Sequence, residues 1–508
     1  GQHGGNSGIN GGGVYINGSS AVVSNCVIKN CHVGLTGGGD GIGAYIKGGG
    51  TLSHTLVTGC YRDSYPNAVD TTGIVYLENG TVKNCTIAKN TLATSALYVN
   101  NSSSCVVKDT ICWGNVALRE WRAGRPNITV GGSSAKVSYV CVGADIGTDA
   151  VLGNPMFTDA ANGDFTLMPG SPCIGAGSDG RDLGYKPYDG TKAALGIAVG
   201  DFKGVGTLTT TVKLTASDAY DLAGATVTWE GFDETGAEIA HTFGPGKHTI
   251  TAHVTFADQT TADVTLADAV TVGYTGVHDV STAAELTEIL ATPADGLIIR
   301  LAENTYALTA SIGLYDDVTI IGTGDREKTI IDLNSNSRVL NMGHKDALVA
   351  GVTLYRGKSQ RDVGGVYIHA NGGTVSNCVI KSCKTGTNCS IGGAHLNAVN
   401  ALITHSVIAD CSTTDNSNYK AGGVQLSYGT LSDSLIISNS CGGVGGGIYL
   451  NTATEDAKVI NCTVAKNKST KSSGGGISRV DKCGYVINTI VYNNTANSGE
   501  PNFTAGSD

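Results

Sequence analysis

Charged residues are scarce in this sequence. Asp, Glu, Lys and Arg make up 15% of the 508 residues, aromatic residues 6%, and there are only 9 Pro beside 73 Gly. Ordinary soluble domains carry about 25% charged residues, and disordered chains combine high charge with few aliphatic residues. Because hydrophobic residues reach 41%, disorder is excluded, and the composition is not collagen-like either. Few charges with abundant Gly indicate a long β-structure with tight turns.

Other absences exclude whole classes of function. The net charge is −10 and no basic stripe is visible, so the footprint of a nucleic-acid-binding protein is missing. No run of 18 apolar residues exists, so no membrane span is predicted, and residues 1–10 lack a signal-peptide pattern. The 15 Cys include no CxxC pair and no zinc-type Cys/His cluster. We expect a mature or internal segment without cofactor or metal.

An internal repeat is present instead. In its first motif, a small polar residue or Cys precedes two apolar residues, two spacers, and then Asn or Cys. Examples begin at Cys26, Thr55, Cys85, Ser406, Ser434, Cys462 and Thr489. In the second motif, Gly-Gly precedes alternating apolar residues, as in residues 12–16, 364–368, 422–426 and 446–450. Two strand patterns in each period of 24–30 residues predict a parallel β-solenoid.

A solenoid of this kind predicts particular strand pairings, side-chain ladders and turns. Each strand pairs with its equivalent one turn away, at about 4.8 Å, so like residues form ladders. Asn or Cys recurring at one position is expected to form such a ladder inside the solenoid. The Gly-Gly pairs are expected where the chain turns with positive φ.

The two ends of the chain are copies of each other. Residues 14–31 and 366–383 are identical at 11 of 18 positions, and Pro126-Asn127 recurs as Pro501-Asn502. The sequence therefore predicts two right-handed parallel β-helix segments from a larger tandem array, with a unit somewhat over 350 residues long. Sequence before Gly1 is then expected to resemble 278–352, and sequence after Asp508 to resemble 134–177.

The middle of the chain breaks the period. Residues 154–172 are rich in turn residues and are predicted to close the first β-helix. Residues 208–214, 225–229, 249–256 and 260–272 alternate as strands of a β-sandwich. Thr282 and Glu285 predict a capping box for a short helix that covers the open end of the second solenoid. The fold class is all-β, with domains 1–190 (β-helix with cap), 191–277 (sandwich) and 278–508 (second β-helix).

These motifs resemble known families. The Gly-Gly and Ile-x-x-Asn repeats resemble chlamydial polymorphic membrane proteins and related bacterial adhesin passenger domains. The segment from Asn154-Pro155-Met156-Phe157 to Ser171-Pro172 is similar to the end of secreted bacterial β-helix proteins of the pectate-lyase-like superfamily. Trp229 and residues 241–250 resemble a PKD-type immunoglobulin-like module, without its usual Gly-Asp-Gly loop. The first resemblance implies display on a cell surface and adhesion.

Catalytic chemistry has little support in the linear sequence. Lyases on this fold resemble one another in using clustered acidic calcium ligands with a basic residue, and its hydrolases use paired carboxylates. Asp40, Asp63 and Asp70 form no such set and are interpreted as solvated turn residues. His395 and His405 lack a third ligand at metal spacing. We therefore expect no enzyme, with a polysaccharide lyase or glycoside hydrolase as the alternative.

Three loops concentrate charge and aromatic rings and are the candidate binding sites. Each also fits a plain surface loop, which is the more frequent case. Their candidate residues are Arg119, Trp121, Arg122 and Arg125 in the first loop, Tyr61, Arg62 and Tyr65 in the second, and Arg356 and Arg361 in the third.

Four cysteines occupy matching positions one turn apart, Cys31 with Cys60 and Cys383 with Cys411. Neighbouring turns lie within disulfide range, so bridges in an oxidising compartment and buried free thiols are equally compatible with the spacing.

The function predicted from the sequence is that of a secreted or cell-surface structural and adhesive protein. Its stiff solenoids would form a rigid shaft, with carbohydrate or a cell-surface ligand as partner. Self-association into a filament or surface layer is the further alternative.

Overall fold

The structure is a computed structural model. It describes residues 2–3, 11–33, 40–62, 73–92, 95–117, 127–144, 146–190, 194–217, 220–359, 363–386, 391–413, 421–451, 456–471, 473–480 and 484–505. These residues form an all-β protein in which parallel strands stack into a β-solenoid of about 15 turns. The chain divides into two compact units, here called the N-terminal unit (1–64 and 68–272) and the C-terminal unit (65–67 and 273–508).

Three parallel sheets form the solenoid of the N-terminal unit. Sheet A contains Gln2–His3, His32–Val33, Tyr61–Arg62, Thr91–Leu92 and Val116–Ala117. Sheet B contains Val14–Asn17, Ala44–Lys47, Val75–Leu77, Leu97–Val99 and Ile128–Val130. Sheet C contains Val22–Ser24, Val27–Lys29, Gly50–Ser53, Leu56–Thr58, Gly80–Lys83, Thr86–Ala88, Cys105–Trp113 and Lys136–Cys141. Each turn adds one strand to sheets A and B, as the repeat predicts.

The C-terminal unit has four parallel sheets. Sheet D contains the end of Thr261–Val280 with Pro293–Leu301, Val318–Gly322, Leu348–Ala350, Gly373–Ser376, Ala401–Thr404, Gly429–Ser432, Ala457–Ile460 and Tyr485–Ile487. Sheet E contains Asn304–Ala307, Thr329–Asp332, Thr353–Tyr355, Val379–Lys381, Val407–Ala409, Leu435–Ile437, Thr463–Ala465 and Ile490–Tyr492. Sheet F contains Ile312–Leu314, Leu340–Met342, Val366–Ile368, Ala394–Leu396, Val424–Leu426, Ile448–Leu450, Ile477–Arg479 and Phe503–Ala505. Sheet G contains Lys358–Ser359, Lys384–Thr385, Ser412–Thr413, Ser440–Cys441, Lys468–Ser469 and Thr495–Ala496.

Antiparallel strands follow the solenoid within the N-terminal unit. One sheet contains Leu195–Val199, Leu208–Ala216 and Glu238–Phe243, and another contains Thr226–Trp229, Gly246–Thr255 and the first part of Thr261–Val280, which also pairs with Lys203–Val205. The four strands expected in this region are therefore confirmed. Trp229 is buried in their common core, and its indole N–H donates to the carbonyl oxygen of Gly236 at 3.0 Å.

The inside of the solenoid is held by stacked side chains. Because side chains alternate across a strand, Val57, Ile87 and Cys112 point into the core at successive turns. The predicted asparagine ladder is confirmed. In the C-terminal unit the side-chain amides run from Asn439 to Asn467 to Asn494, at 3.0 Å per step. Buried polar groups need such partners, since an unpaired one costs about 1–3 kcal/mol.

The interpretation of the Gly-Gly pairs is wrong. None of the pairs at 12–13, 364–365, 422–423 and 446–447 has positive φ. A Cβ on Gly447 would instead lie 2.7 Å from the carbonyl oxygen of Gly476, one turn away. The pairs are needed because the backbones of successive turns approach closely there. Positive φ falls elsewhere, for example on Gly445 and Asn461, and Asn tolerates this region better than most residues.

Residues 154–188 lie along the outer face of sheet C. They include the hairpin Phe157–Asp159 with Asp164–Leu167, and we call them the flank segment. Phe165 packs against Leu56 and Ala88, while Leu167 and Cys173 pack against Ile111. The sequence predicts that residues 154–172 close the first β-helix. In the structure the flank segment packs against the side of several successive turns.

The predicted helix is confirmed as Ala283–Ile289. Thr282 is its N-cap, the capping box with Glu285 is complete, and Leu286 and Ile289 are buried in the core of the C-terminal unit. Among the described residues no helix has the length and apolar character needed to cross a membrane.

Candidate binding face

A row of stacked tyrosines crosses the outer face of sheet B. Tyr15, Tyr45, Tyr76 and Tyr98 are direct register partners in successive turns. Their ring centroids lie 5.6, 5.0 and 5.2 Å apart, with interplanar angles of 13°, 11° and 7°. We call this row the tyrosine ladder. Its next register position is Thr129.

The local sequence explains why these rings face outward. In each strand the tyrosine stands between two apolar residues, as Tyr45 does between Ala44 and Ile46. Since neighbouring side chains point to opposite sides of the strand, burial of Ile46 in the core directs Tyr45 to the outer face. Parallel pairing in register then places the rings one above another, about 4.8 Å apart along the solenoid.

Hydroxyl groups and a few charges line the ladder. The Tyr45 hydroxyl donates a short hydrogen bond to the Glu78 carboxylate, and the Lys47 ammonium lies 5.6 Å from the Tyr15 ring centroid. Burial, then the Glu78 hydrogen bond, raise the pKa of Tyr45. Burial, then the charge of Asp40, raise the pKa of Tyr76 to about 12. These phenols are therefore neutral at physiological pH, where they can both donate and accept hydrogen bonds.

Sheet F of the C-terminal unit carries a mixed row at the corresponding register. Asn341, Tyr367, His395, Gln425 and Tyr449 follow one another in successive turns. Tyr367 stacks on His395 with centroids 5.3 Å apart, and it accepts a hydrogen bond from Asn397 at 3.1 Å. His395 shares a 3.0 Å hydrogen bond with Ser427. This row is polar but more buried than the tyrosine ladder, since Gln425 is 7% and Tyr449 0% exposed.

One comparison with known families decides the type of solenoid. Residues 6–138 match the family described as right handed beta helix region. With the stack of about 15 turns, this match identifies a right-handed parallel β-helix. The match covers about a quarter of the chain, 133 of 508 residues. No curated protein matches the chain.

The described part of the three predicted loops is small. Tyr61 lies on the β-helix surface, 39% exposed, and stacks on His32 at 5.1 Å. Arg356 is held by a bidentate ion pair to the buried Asp332, whose Oδ1 accepts from Nε at 3.0 Å, and its guanidinium lies over the Tyr355 ring. The side chains of Arg62, Tyr65, Arg119, Trp121, Arg122, Arg125 and Arg361, and the residues Asp63 and Asp70, lie outside the described residues. A role of these loops in binding stays a prediction.

Titratable clusters are few in the described part of the chain. There, no group of three metal-ligating side chains is found, and His405 is exposed beside Thr404. Asp316 is the described carboxyl group whose pKa is raised. Its partial burial is the main cause, and the charge of Asp295 adds to it, while His344 opposes it.

The cysteine positions agree with the spacing seen in the sequence. The thiols of Cys31 and Cys60 are neighbours, as are those of Cys383 and Cys411, and all four cysteines are free. Cys60 and Cys411 continue into the asparagine ladders, because their backbone N–H groups donate to Asn90 and Asn439 at 2.9 and 3.0 Å. Burial raises the pKa of the Cys411 thiol. These cysteines act as small apolar members of the ladders.

The tyrosine ladder is the feature that sequence reasoning missed. Its signal is visible, because an apolar-Tyr-apolar triplet recurs at residues 14–16, 44–46, 75–77 and 97–99. Only the first triplet belongs to a motif of the predicted repeat, where it indicates an alternating strand. That the middle positions of four turns stack on one outer face requires the register of the turns.

Proposed function

We propose that this chain is an extracellular adhesive rod that binds carbohydrate along the tyrosine ladder. The supporting observation is the row of hydroxyl-bearing rings on the outer face of sheet B, in which Tyr15 is 47% and Tyr45 5% exposed. Aromatic rings with a polar end suit wet binding surfaces, because they give apolar contact and hydrogen bonds together. The spacing of 5.0–5.6 Å between rings offers a repeating set of hydroxyl groups to a polymer that itself repeats.

The architecture that we propose has three parts, two β-helices and a β-sandwich between them in the chain. Two β-helices, within 1–190 and 278–508, are stiff because every turn is hydrogen-bonded to its neighbours. An immunoglobulin-like sandwich within 191–277 acts as the joint. The antiparallel strands around Trp229 support the sandwich. Location on a cell surface and membership of a tandem array belong to the same proposal.

Binding of the whole chain to immobilised plant, algal and host polysaccharides tests the proposal. We expect retention on at least one neutral polymer and its loss in the double variant Tyr15→Ala/Tyr98→Ala, which removes the two end rings of the ladder. Tyr485→Ala is the matched control, since this tyrosine is 41% exposed in the other unit. Retention that survives loss of both end rings would remove the ladder from the proposal.

Hydrolysis is the second candidate function, and Asp316 is the observation that favours it. Partial burial and the charge of Asp295 raise the pKa of this carboxyl group, which suits the role of a general acid. Release of reducing ends from the same polymers would support it, provided that Asp316→Asn abolishes the release. Release that continues in that variant would show that Asp316 is not the acid.

A further inference from the structure

The N-terminal unit shows how the outer face of a β-helix is covered. Along sheet C, the outward residues Leu56, Thr86 and Ile111 are 4%, 1% and 1% exposed, because the flank segment lies on them. Its contacts are both apolar and polar. Phe165 packs on Leu56, Leu167, Cys173 and Leu183 pack around Ile111, and the backbone N–H of Tyr185 donates to the Thr86 hydroxyl at 3.2 Å.

Sheet E of the C-terminal unit presents the equivalent surface. Residues 84–90 and 461–467 are identical at six of seven positions. In both units the asparagine ladder ends in the same way, from Asn115 to Asn127 at 3.0 Å and from Asn494 to Asn502 at 3.1 Å. The register then makes Leu435, Thr463 and Ile490 the counterparts of Leu56, Thr86 and Ile111.

These counterparts are exposed where the originals are buried. Leu435 and Thr463 are partly exposed although strands pair on both sides of them. Ile490 is 61% and Tyr492, the counterpart of Trp113, 53% exposed, on the last strand of sheet E, which pairs on one side only. Contiguous apolar residues on a sheet face mark an interaction surface. We call the surface formed by Leu435, Thr463, Ile490 and Tyr492 the sheet E face.

We propose that the sheet E face docks a polypeptide segment built like the flank segment. Such a segment supplies two aromatic residues on a hairpin, as at 157 and 165, then leucines and a backbone N–H that reaches Thr463. The face offers the matching groups in the same order along the β-helix axis. This interaction is separate from the proposed carbohydrate binding, which concerns sheet B.

A labelled peptide of residues 154–188 added to the full chain tests the docking. The sheet C face does not compete, because its own flank segment is tethered at high effective concentration. We expect saturable binding seen by fluorescence anisotropy, with Tyr492 protected from hydroxyl-radical labelling. Ile490→Asp is expected to weaken binding by about tenfold or more, since it places a charge in the apolar contact. Val399→Asp is the control, because Val399 is 66% exposed elsewhere in the same unit.

Three results would overturn the proposal. They are no binding of the peptide to the native chain, equal binding to the Ile490→Asp variant, and equal binding of a peptide that carries Phe165→Ser and Leu167→Ser. Sedimentation equilibrium tests the other possible occupant of the sheet E face, a second copy of the chain. A dimer of the native chain that Ile490→Asp dissociates would assign the face to a second copy of the chain instead.

Discussion

At the residue scale, the buried asparagines hydrogen-bond to the turns on either side, which a hydrophobic residue at the same position could not do. Asn467 donates from its side-chain nitrogen to Ile436 and Asn494 at 2.9 and 3.0 Å, and its oxygen accepts from the backbone and side chain of Asn439. Each amide therefore links three successive turns. The ladder fixes the register of the stack, because a shift by one residue would leave every buried amide unpaired.

The variant Asn467→Ala tests this role. It removes these bonds and leaves buried partners unpaired, which we expect to lower the local free energy of opening by about 3 kcal/mol. Hydrogen exchange in the strands at 435–437, 463–465 and 490–492 would then accelerate by about a hundredfold. Asn336→Ala, at an exposed position, is the control. Unchanged exchange in Asn467→Ala would show that the ladder contributes little.

Gly447 provides a second prediction at the residue scale. A Cβ there would lie 2.7 Å from the Gly476 carbonyl oxygen and 2.9 Å from the Asn467 amide, so Gly447→Ala must push two turns apart. We expect a lower melting temperature in circular dichroism. Gly244→Ala is the matched control, because nothing lies within 4 Å of its Cβ position, and the loss of chain entropy in the unfolded state favours Ala there. Equal melting temperatures would contradict the close-approach explanation.

At the scale of elements, the short helix Ala283–Ile289 depends on its N-terminal cap. The Thr282 hydroxyl accepts from the Glu285 N–H at 3.2 Å, and the Glu285 carboxylate accepts from Ser281 and Thr282 at 2.8 and 3.0 Å. A helix of seven residues is too short to be stable by itself. Its cap and the burial of Leu286 and Ile289 therefore hold it in place.

The cap predicts a dependence on pH. Hydrogen bonds from the Ser281 and Thr282 backbone lower the pKa of Glu285. Its contribution is present above the ordinary Glu pKa of about 4.3 and is lost as the pH falls through the lowered value. Thr282→Ala should cost about 1 kcal/mol, seen as faster exchange in 283–290. Glu285→Gln, which keeps a hydrogen-bond acceptor, should flatten the acid dependence, and an unaltered pH profile in this variant would contradict the assignment.

At the scale of the whole molecule, the ladders leave most thiols inaccessible. Of the 13 cysteines described, 12 are buried, and Cys26 is exposed. Counting thiols with an aromatic disulfide reagent distinguishes the two states left open by the sequence. We expect all 15 Cys to react in the unfolded chain without reductant. A count of 11, which is 15 minus 4, would mean that Cys31–Cys60 and Cys383–Cys411 are bridged.

The proposed carbohydrate binding has its own expected salt dependence. The phenols of Tyr45 and Tyr76 are neutral at physiological pH because their pKa values lie above the ordinary value. Retention on a neutral polymer should therefore be nearly unchanged up to about 0.5 M NaCl, where exposed charges are screened. A steep fall in retention with salt would point to ion pairs, and so to the charged loops.

Much of the fold follows from the sequence, but the site does not. The period, the asparagine ladder, the strands from Leu208 to Val272 and the Thr282 cap are local patterns, and each is confirmed. The meaning of the Gly-Gly pairs was missed, because the atom that a Cβ on Gly447 would meet belongs to another turn. The tyrosine ladder was missed for the same reason, since Tyr45 and Tyr76 are 31 residues apart, the difference of their numbers.

The sequence by itself determined that this chain repeats, that its repeats are strands, and that Asn or Cys stacks in a ladder inside the solenoid. Those properties depend on neighbours along one strand, where alternation and spacing suffice. Only the tertiary structure decided that four tyrosines form one surface and that residues 154–188 lie on Leu56 and Ile111. These contacts join residues far apart in the chain, so they depend on the register of the turns and on the path of an irregular segment. No short-range pattern encodes either.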